Sequence, residues 1–274
     1  PVAAQAVAHP DELKMKPEVD AAIAKGVEWL ITEQFRDGSW GMHGDYVGGR
    51  TGLVLYALLM CGVPRDHPSV RRAVAHLDAV EPDRTYATTC VLLALDALRE
   101  GREDRIEALI HKLLDWQRPR GDWGYPHGHS DLSCTQYATL GLWVAHKRGI
   151  AIDASHWLDA LDALDDYRED PRWIDNPDRD GGTAARKVEV AGYKYRDDAN
   201  QRVSGSMTSA GLSVLAICRA GLGKKLGRGG RNEIEQRIDA AMRWLAQNFD
   251  VTKNPNGGHY FYYLYGLERI GALR

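Results

Sequence analysis

The sequence predicts an all-α fold built from helical hairpins, and three observations predict it. Apolar residues recur at helical spacing along nearly the whole chain, and period-two alternation is confined to residues 187–195. The helical segments are of two kinds, one amphipathic with a charged back and one apolar nearly all round and rich in Ala, Gly, Ser and Thr; the two kinds alternate five times. Start and stop signals fall where the periodicity changes, with Thr or Ser opening several apolar helices and glycine closing them.

The amphipathic segments are residues 18–35 and the stretches beginning at Ser69, Glu103, Ala154 and Asn232. The apolar ones begin at Thr51, Thr85, Leu132, Ser206 and His259. A helix apolar on every side must be surrounded by protein, whereas one with a single apolar stripe turns its back to water. Alternation therefore describes two layers, inner apolar helices and outer amphipathic ones. Small residues on the inner helices let neighbouring backbones approach closely where that layer curves. The expected architecture is an α/α toroid of about five to six hairpins, or a shorter open α-solenoid of the same hairpins.

Residues 1–17 read as a flexible tail and 18–274 as a single toroid domain. Residues 171–205 interrupt the pattern: they are rich in Pro, Gly and Asp and contain the β-like "KVEVAGYKY". They read as an inserted loop or small β-hairpin, expected to fold over one mouth of the barrel. A second glycine-rich, basic stretch, "GLGKKLGRGGRNE" at 221–233, reads as a flexible connector with a solvated surface.

The bulk properties exclude several function classes. With 274 residues, 44% hydrophobic, 27% charged and a formal net charge of −3, the chain has the composition of a soluble globular protein. It offers no electrostatic footprint for nucleic acid. No run approaches the roughly 18 consecutive apolar residues of a membrane span. The first residues lack the basic start and apolar stretch of a signal peptide, which leaves a cytoplasmic location or export with a signal already removed. Cys61, Cys90, Cys134 and Cys218 lie far apart in or beside apolar helices, as reduced, buried thiols do, which favours a reducing compartment.

A repeat underlies the helices. "KGVEWLITEQFRDGSWG" at 25–41 has weaker copies in "KLLDWQRPRGDWGYP" at 112–126 and "AAMRWLAQNFDVTKNPNGGHY" at 240–260. In the first copy, Trp29-Leu30, Gln34 and Gly38-Ser39-Trp40 resemble the QW repeat of squalene-hopene and oxidosqualene cyclases. The second keeps Trp116, Gln117, Gly121 and Trp123, and the third Trp244, Leu245 and Gln247. "SDLSCTQYATLGLW" and "GSMTSAGLSVL" resemble inner-helix starts of the wider terpenoid cyclase and protein prenyltransferase superfamily. The resemblance spans most of 18–274 and implies the toroid. A glutamine past an outer helix can hydrogen-bond orphaned carbonyls there or backbone amides at the next helix, and the tryptophan packs over the junction. The motif is thus a clip between hairpins.

The chemistry that the resemblance implies is only partly matched. Hopene-type cyclisation starts from an acid in an Asp-x-Asp-Asp motif, which the chain lacks; in the oxidosqualene form, Asp-Cys-Thr, Ser133 stands before Cys134-Thr135. Prenyltransferases bind zinc through Asp, Cys and His at inner-helix starts, and Asp131, Cys134 and His259 are the corresponding types here, although Asp-Leu-Ser-Cys departs from the family's Asp-x-Cys. His127 and His129 are further possible ligands. If the inner-helix starts share one rim, Asp45, Tyr46, Tyr86, Trp123, Tyr125, Asp131, Gln136, Tyr260, Tyr262 and Tyr263 gather there. Such a set suits an apolar or amphiphilic molecule, an isoprenoid or a sugar. The reading is therefore a cavity-based ligand-binding or interaction module lacking the cyclase acid. The alternatives are a zinc-dependent transferase or divergent cyclase acting on an isoprenoid, and a toroid-type polysaccharide lyase using the basic residues Arg186, Lys187, Lys194, Arg196 and Arg202.

Overall fold

The computed structural model of the chain describes residues 17–41, 46–99, 101–125, 128–177, 185–198 and 200–273. They form two compact units, one reaching to Asp83 and including Cys90–Arg102, the other made of Arg84–Thr89 and everything from Glu103 onward.

The first unit contains α1 (Pro17–Thr32), α2 (Gly49–Met60), α3 (Pro68–Ala79) and most of α4 (Thr85–Leu98). α1 stops three residues before the predicted end. Thr32 turns its hydroxyl back onto the carbonyls of Glu28 and Trp29, a local bond that competes with further helix. Pro68 opens α3, where its missing N–H costs nothing, and His67 caps the helix by accepting from the Ser69 amide. α3 buries a single stripe, Ser69, Val70, Ala73 and Leu77. α2 meets α4 at Gly52, where a Cβ would stand 2.7 Å from the Cys90 carbonyl carbon; the small residue is what lets the two backbones touch.

The second unit contains α5 (Glu103–Asp115), α6 (Leu132–Arg148), α7 (Ala154–Tyr167), β1 (Arg172–Asp175), β2 (Lys187–Val190), α8 (Gly205–Leu222) and α9 (Gly227–Asn248), then α10 (Tyr260–Leu273). α6 and α8 are buried on every side over most of their length. α5, α7 and α9 each bury one stripe, such as Ile106, Leu109, Ile110 and Leu113 on α5. α8 packs against α6 and α10, and also against α7 and α9; α5 packs on α6. Within this unit the apolar helices therefore adjoin one another and the striped helices cover them, as the two patterns require. No helix among the described residues is long and apolar enough to cross a membrane.

Two expectations are corrected. The stretch 221–233 is not a loose connector: a 3-10 turn over Gly223–Leu226 leads straight into α9, which begins at Gly227. From Ile234 onward α9 is anchored by Ile234, Ile238 and Trp244, and a helix nucleated by that packing extends backwards with one hydrogen bond per residue, although each glycine costs about 1 kcal/mol relative to alanine. The hairpin is present, with Arg172 opposite Val190 and Asp175 opposite Lys187, but β2 lies along α9. The Ala191 amide donates to the Ala240 carbonyl, and the Arg172 guanidinium to Gln247. The part of the insertion that reaches the apolar helix α6 is the stretch after the hairpin, where the Leu132 amide donates to the carbonyl of Tyr195 at 3.0 Å.

Candidate ligand site

The repeat motif proves to be wiring. Gln34 Nε2 donates to the carbonyl of Gly38 at 3.0 Å and to that of Ser69, in the first turn of α3, at 2.8 Å. Gln117 does the same in the second unit, to Gly121 and to His156 at the start of α7, both at 2.9 Å. In each copy the tryptophan indole donates backwards, Trp40 to the Leu30 carbonyl and Trp123 to that of Leu113. The tryptophan amides in turn donate to threonines at the start of the next apolar helix, Thr51 and Thr135. Trp123 is fully buried in this clip, so its place in the candidate cavity is corrected: its polar atom is already used.

A further junction of the same kind was not legible. The Glu169 amide donates to Gly192 as Phe35 does to Ser39 and Arg118 to Asp122, and the Tyr193 amide donates to Thr208 Oγ1 at 3.2 Å. Tyr193 thus occupies the tryptophan position, with Arg168, paired to Glu189, where the glutamine stands elsewhere. The hairpin separates the two halves of the motif, which hides its spacing. The third copy read from sequence does not form this clip; Gln247 accepts from Arg172 instead.

The start of α6 gathers the chemistry. Asp131 is the N-cap of α6: its Oδ1 accepts from the Cys134 amide at 2.8 Å and the Ser133 hydroxyl at 2.6 Å. Its Oδ2 is buried and has no hydrogen-bond partner. Around it stands a set of tyrosines. Tyr86 at the start of α4 stacks on Tyr125 with ring centroids 6.2 Å apart and packs on Tyr137 at 4.0 Å; Tyr137 also meets Tyr262 at 6.5 Å and Tyr265 at 6.4 Å. Tyr195 arrives from the insertion. Burial and then the Asp131 charge push the Tyr195 phenol up to about 12, and burial followed by Tyr262 raises Tyr86 well above the ordinary tyrosine range. These hydroxyls stay neutral at physiological pH. The Cys134 thiol is raised too, by burial first and the adjacent Asp131 second, so it is neither a ready nucleophile nor a thiolate.

The other predicted residues fall differently. Gln136 is buried and committed, accepting from the Tyr262 hydroxyl and donating to Ser213; it ties α6 to α10 and α8. Tyr260 turns away and donates to the Val251 carbonyl. Tyr263 is buried where α10 meets the start of α8, its Cε2 within 2.8 Å of where a Gly205 Cβ would be. Asp45 and His127 lie outside the described residues, and His129 is exposed. Tyr262 and Tyr265, an i,i+3 pair, form the stripe of α10 that faces the cluster, not 260 and 263. The sequence reading missed Tyr137, Tyr195 and Tyr265; the i,i+3 spacing was the available signal for the last.

The zinc set is corrected to a buried pair. Asp131 and Cys134 adjoin each other, whereas His259 is exposed, and among the described residues no three His, Cys, Asp or Glu side chains come together to hold a metal ion. Asp131 and Cys134 together supply two ligands, fewer than the three or four protein ligands that zinc sites use. Arg118, the nearby cation, spends its Nη2 on the carbonyls of Tyr125 and Gly128 at 3.0 and 2.6 Å.

The chain matches no protein-family model and no curated protein sequence. The likeness to cyclases and prenyltransferases therefore rests on the clip residues and helix starts quoted above.

Proposed function

We propose that the chain is a repeat protein of α/α-toroid type, similar to the terpenoid cyclases and prenyltransferases, that binds an apolar or amphiphilic small molecule at the start of α6. The observation that carries this reading is the combination at one helix end of a buried carboxylate oxygen lacking a partner with the rings of Tyr86, Tyr125, Tyr137 and Tyr262. Ring faces supply apolar area, and a few polar atoms among them fix orientation, which is how small-molecule sites are built. Ser133 stands where an initiating acid would be needed, and no three His, Cys, Asp or Glu side chains come together among the described residues; both favour binding over cyclisation or zinc-dependent transfer. An isoprenoid is the ligand class that the resemblance favours. Equilibrium binding of radiolabelled farnesol tests the reading: saturable binding that Tyr137→Leu weakens supports it. Absence of saturable binding sinks it.

A further inference from the structure

The unpartnered oxygen of Asp131 says what kind of polar end the ligand carries. Asp131 is fully buried, and one of its two oxygens is spent on capping α6. The other has no donor. A buried carboxylate oxygen without a hydrogen bond is costly, because transfer out of water is not repaid by any contact. Native interiors almost always satisfy such atoms, and the groups beside it leave this one free: Ser133 donates to Oδ1, Tyr262 donates to Gln136, and the Tyr195 hydroxyl and Cys134 thiol, which border the same carboxylate, do not bond Oδ2. The local charge balance points the same way. The nearby Arg118 guanidinium is turned onto two backbone carbonyls, so a ligand phosphate or carboxylate placed beside Asp131 would meet like charge. An ammonium would meet an anion and the electron-rich faces of tyrosines, both attractive to a cation.

Resting on the ligand-site reading above, we infer that this site takes a cationic amphiphile whose ammonium group donates to Asp131 Oδ2 while its apolar chain lies against the tyrosine rings. The head-group preference is ammonium over hydroxyl over phosphate, the reverse of a diphosphate-binding site.

The test holds the tail constant and varies the head. Farnesylamine, farnesol and farnesyl monophosphate are titrated into the full chain by calorimetry below their aggregation concentrations, with the wild type and with Asp131→Asn. Asparagine caps a helix as well as aspartate does, and thermal unfolding of the variant checks that it folds. The amine is expected to bind about tenfold or more tighter than the alcohol, the scale on which a charge-assisted hydrogen bond exceeds a neutral one. The phosphate is expected to bind weakest, and Asp131→Asn to abolish the amine's advantage. An amine no tighter than the alcohol, a phosphate as tight as the amine, or an advantage that survives Asp131→Asn overturns the inference. The wild-type ranking decides it even if the variant fails to fold. Failure of all three molecules to bind overturns the ligand-site reading itself, not the head-group preference alone.

Discussion

The side-chain amide of Gln117 donates to the carbonyl of His156 at 2.9 Å, which fastens the end of α5 to the start of α7, the next striped helix rather than the next helix in the chain. The same nitrogen also holds Gly121 in the turn. Removing it leaves two part-buried carbonyls without a donor. Gln117→Ala is expected to lower stability by about 1–3 kcal/mol, the cost of orphaning such groups, and Gln34→Ala to do likewise in the first unit. Urea denaturation followed by circular dichroism measures both, and losses within error of zero remove the clip interpretation.

The turns that carry these glutamines admit only glycine. Gly121 has φ +91, and a Cβ on it would lie 1.9 Å from the Asp159 carbonyl oxygen; Gly38 has φ +87 and would meet the Arg72 oxygen at 2.2 Å. Gly149 has a similar φ, +72, but open space around it. Gly149→Ala should cost about 1 kcal/mol for backbone strain alone. Gly121→Ala and Gly38→Ala should each cost clearly more, since backbone has to move. Equal losses at all three positions would show that the close approach carries no energy.

The three aromatic clip residues are expected to differ in what their polar atoms contribute. Trp123→Ala and Trp40→Ala should each cost about 3–5 kcal/mol as large buried rings are lost. Trp123→Phe should cost less, retaining an aromatic ring but orphaning the Leu113 carbonyl. Tyr193 is buried and its hydroxyl, which lies near the Arg237 guanidinium, makes no hydrogen bond of normal geometry, so Tyr193→Phe is expected to cost far less than Tyr193→Ala. A large loss on Tyr193→Phe would mean that its hydroxyl is bonded.

Alkaline pH should unfold the second unit's tyrosine cluster. Tyr195 is raised to about 12, and Tyr86 and Tyr262 are also raised, burial being the first cause for each; in the unfolded chain they ionise near pH 10. A raised folded pKa means that the neutral form is the one the fold stabilises. That stabilisation is complete below about pH 10 and is lost as pH climbs from about 10 towards 12. Tyrosinate absorbance should therefore rise in two phases, exposed residues near pH 10 and the cluster later, together with loss of helical circular dichroism. A single phase near pH 10 with helicity intact would contradict the burial.

Thiol labelling provides an independent check on packing. Cys61 is exposed, whereas Cys90, Cys134 and Cys218 are buried, with Cys90 and Cys218 pushed up to about 12 by burial. One thiol of the four should react quickly with an aromatic disulfide reagent and the other three only in denaturant. Rapid reaction of Cys134 in native protein would mean that the start of α6 is open to solvent.

How much of this was legible depended on how local the signal was. The two kinds of helix could be read because a buried surface all round and a single buried stripe each leave a pattern in consecutive residues, as in Leu132–Arg148 against Glu103–Asp115. The Gln-Gly-Trp clip could be read at 34–40 and 117–123 for the same reason: the turn fixes its spacing. At Arg168 and Tyr193 the same junction is interrupted by a hairpin and has lost both signature side chains, so only the amide-to-threonine geometry reveals it. The loop reading of 221–233 failed because glycine and lysine content speaks for the isolated segment, while packing of Ile234 and Trp244 decided the helix.

Periodicity and turn chemistry act over a few residues, so the helical class, the alternation of helices and the clip are all written in consecutive stretches of the chain. Long-range packing set the surroundings of Asp131: which tyrosine stripe of α10 faces α6, that Gln136 is bonded to Tyr262, that His259 is exposed while Cys134 is buried, and that one oxygen of Asp131 has no hydrogen-bond partner. Each of these depends on which surfaces meet across long stretches of chain, and side-chain satisfaction is settled only when those surfaces close.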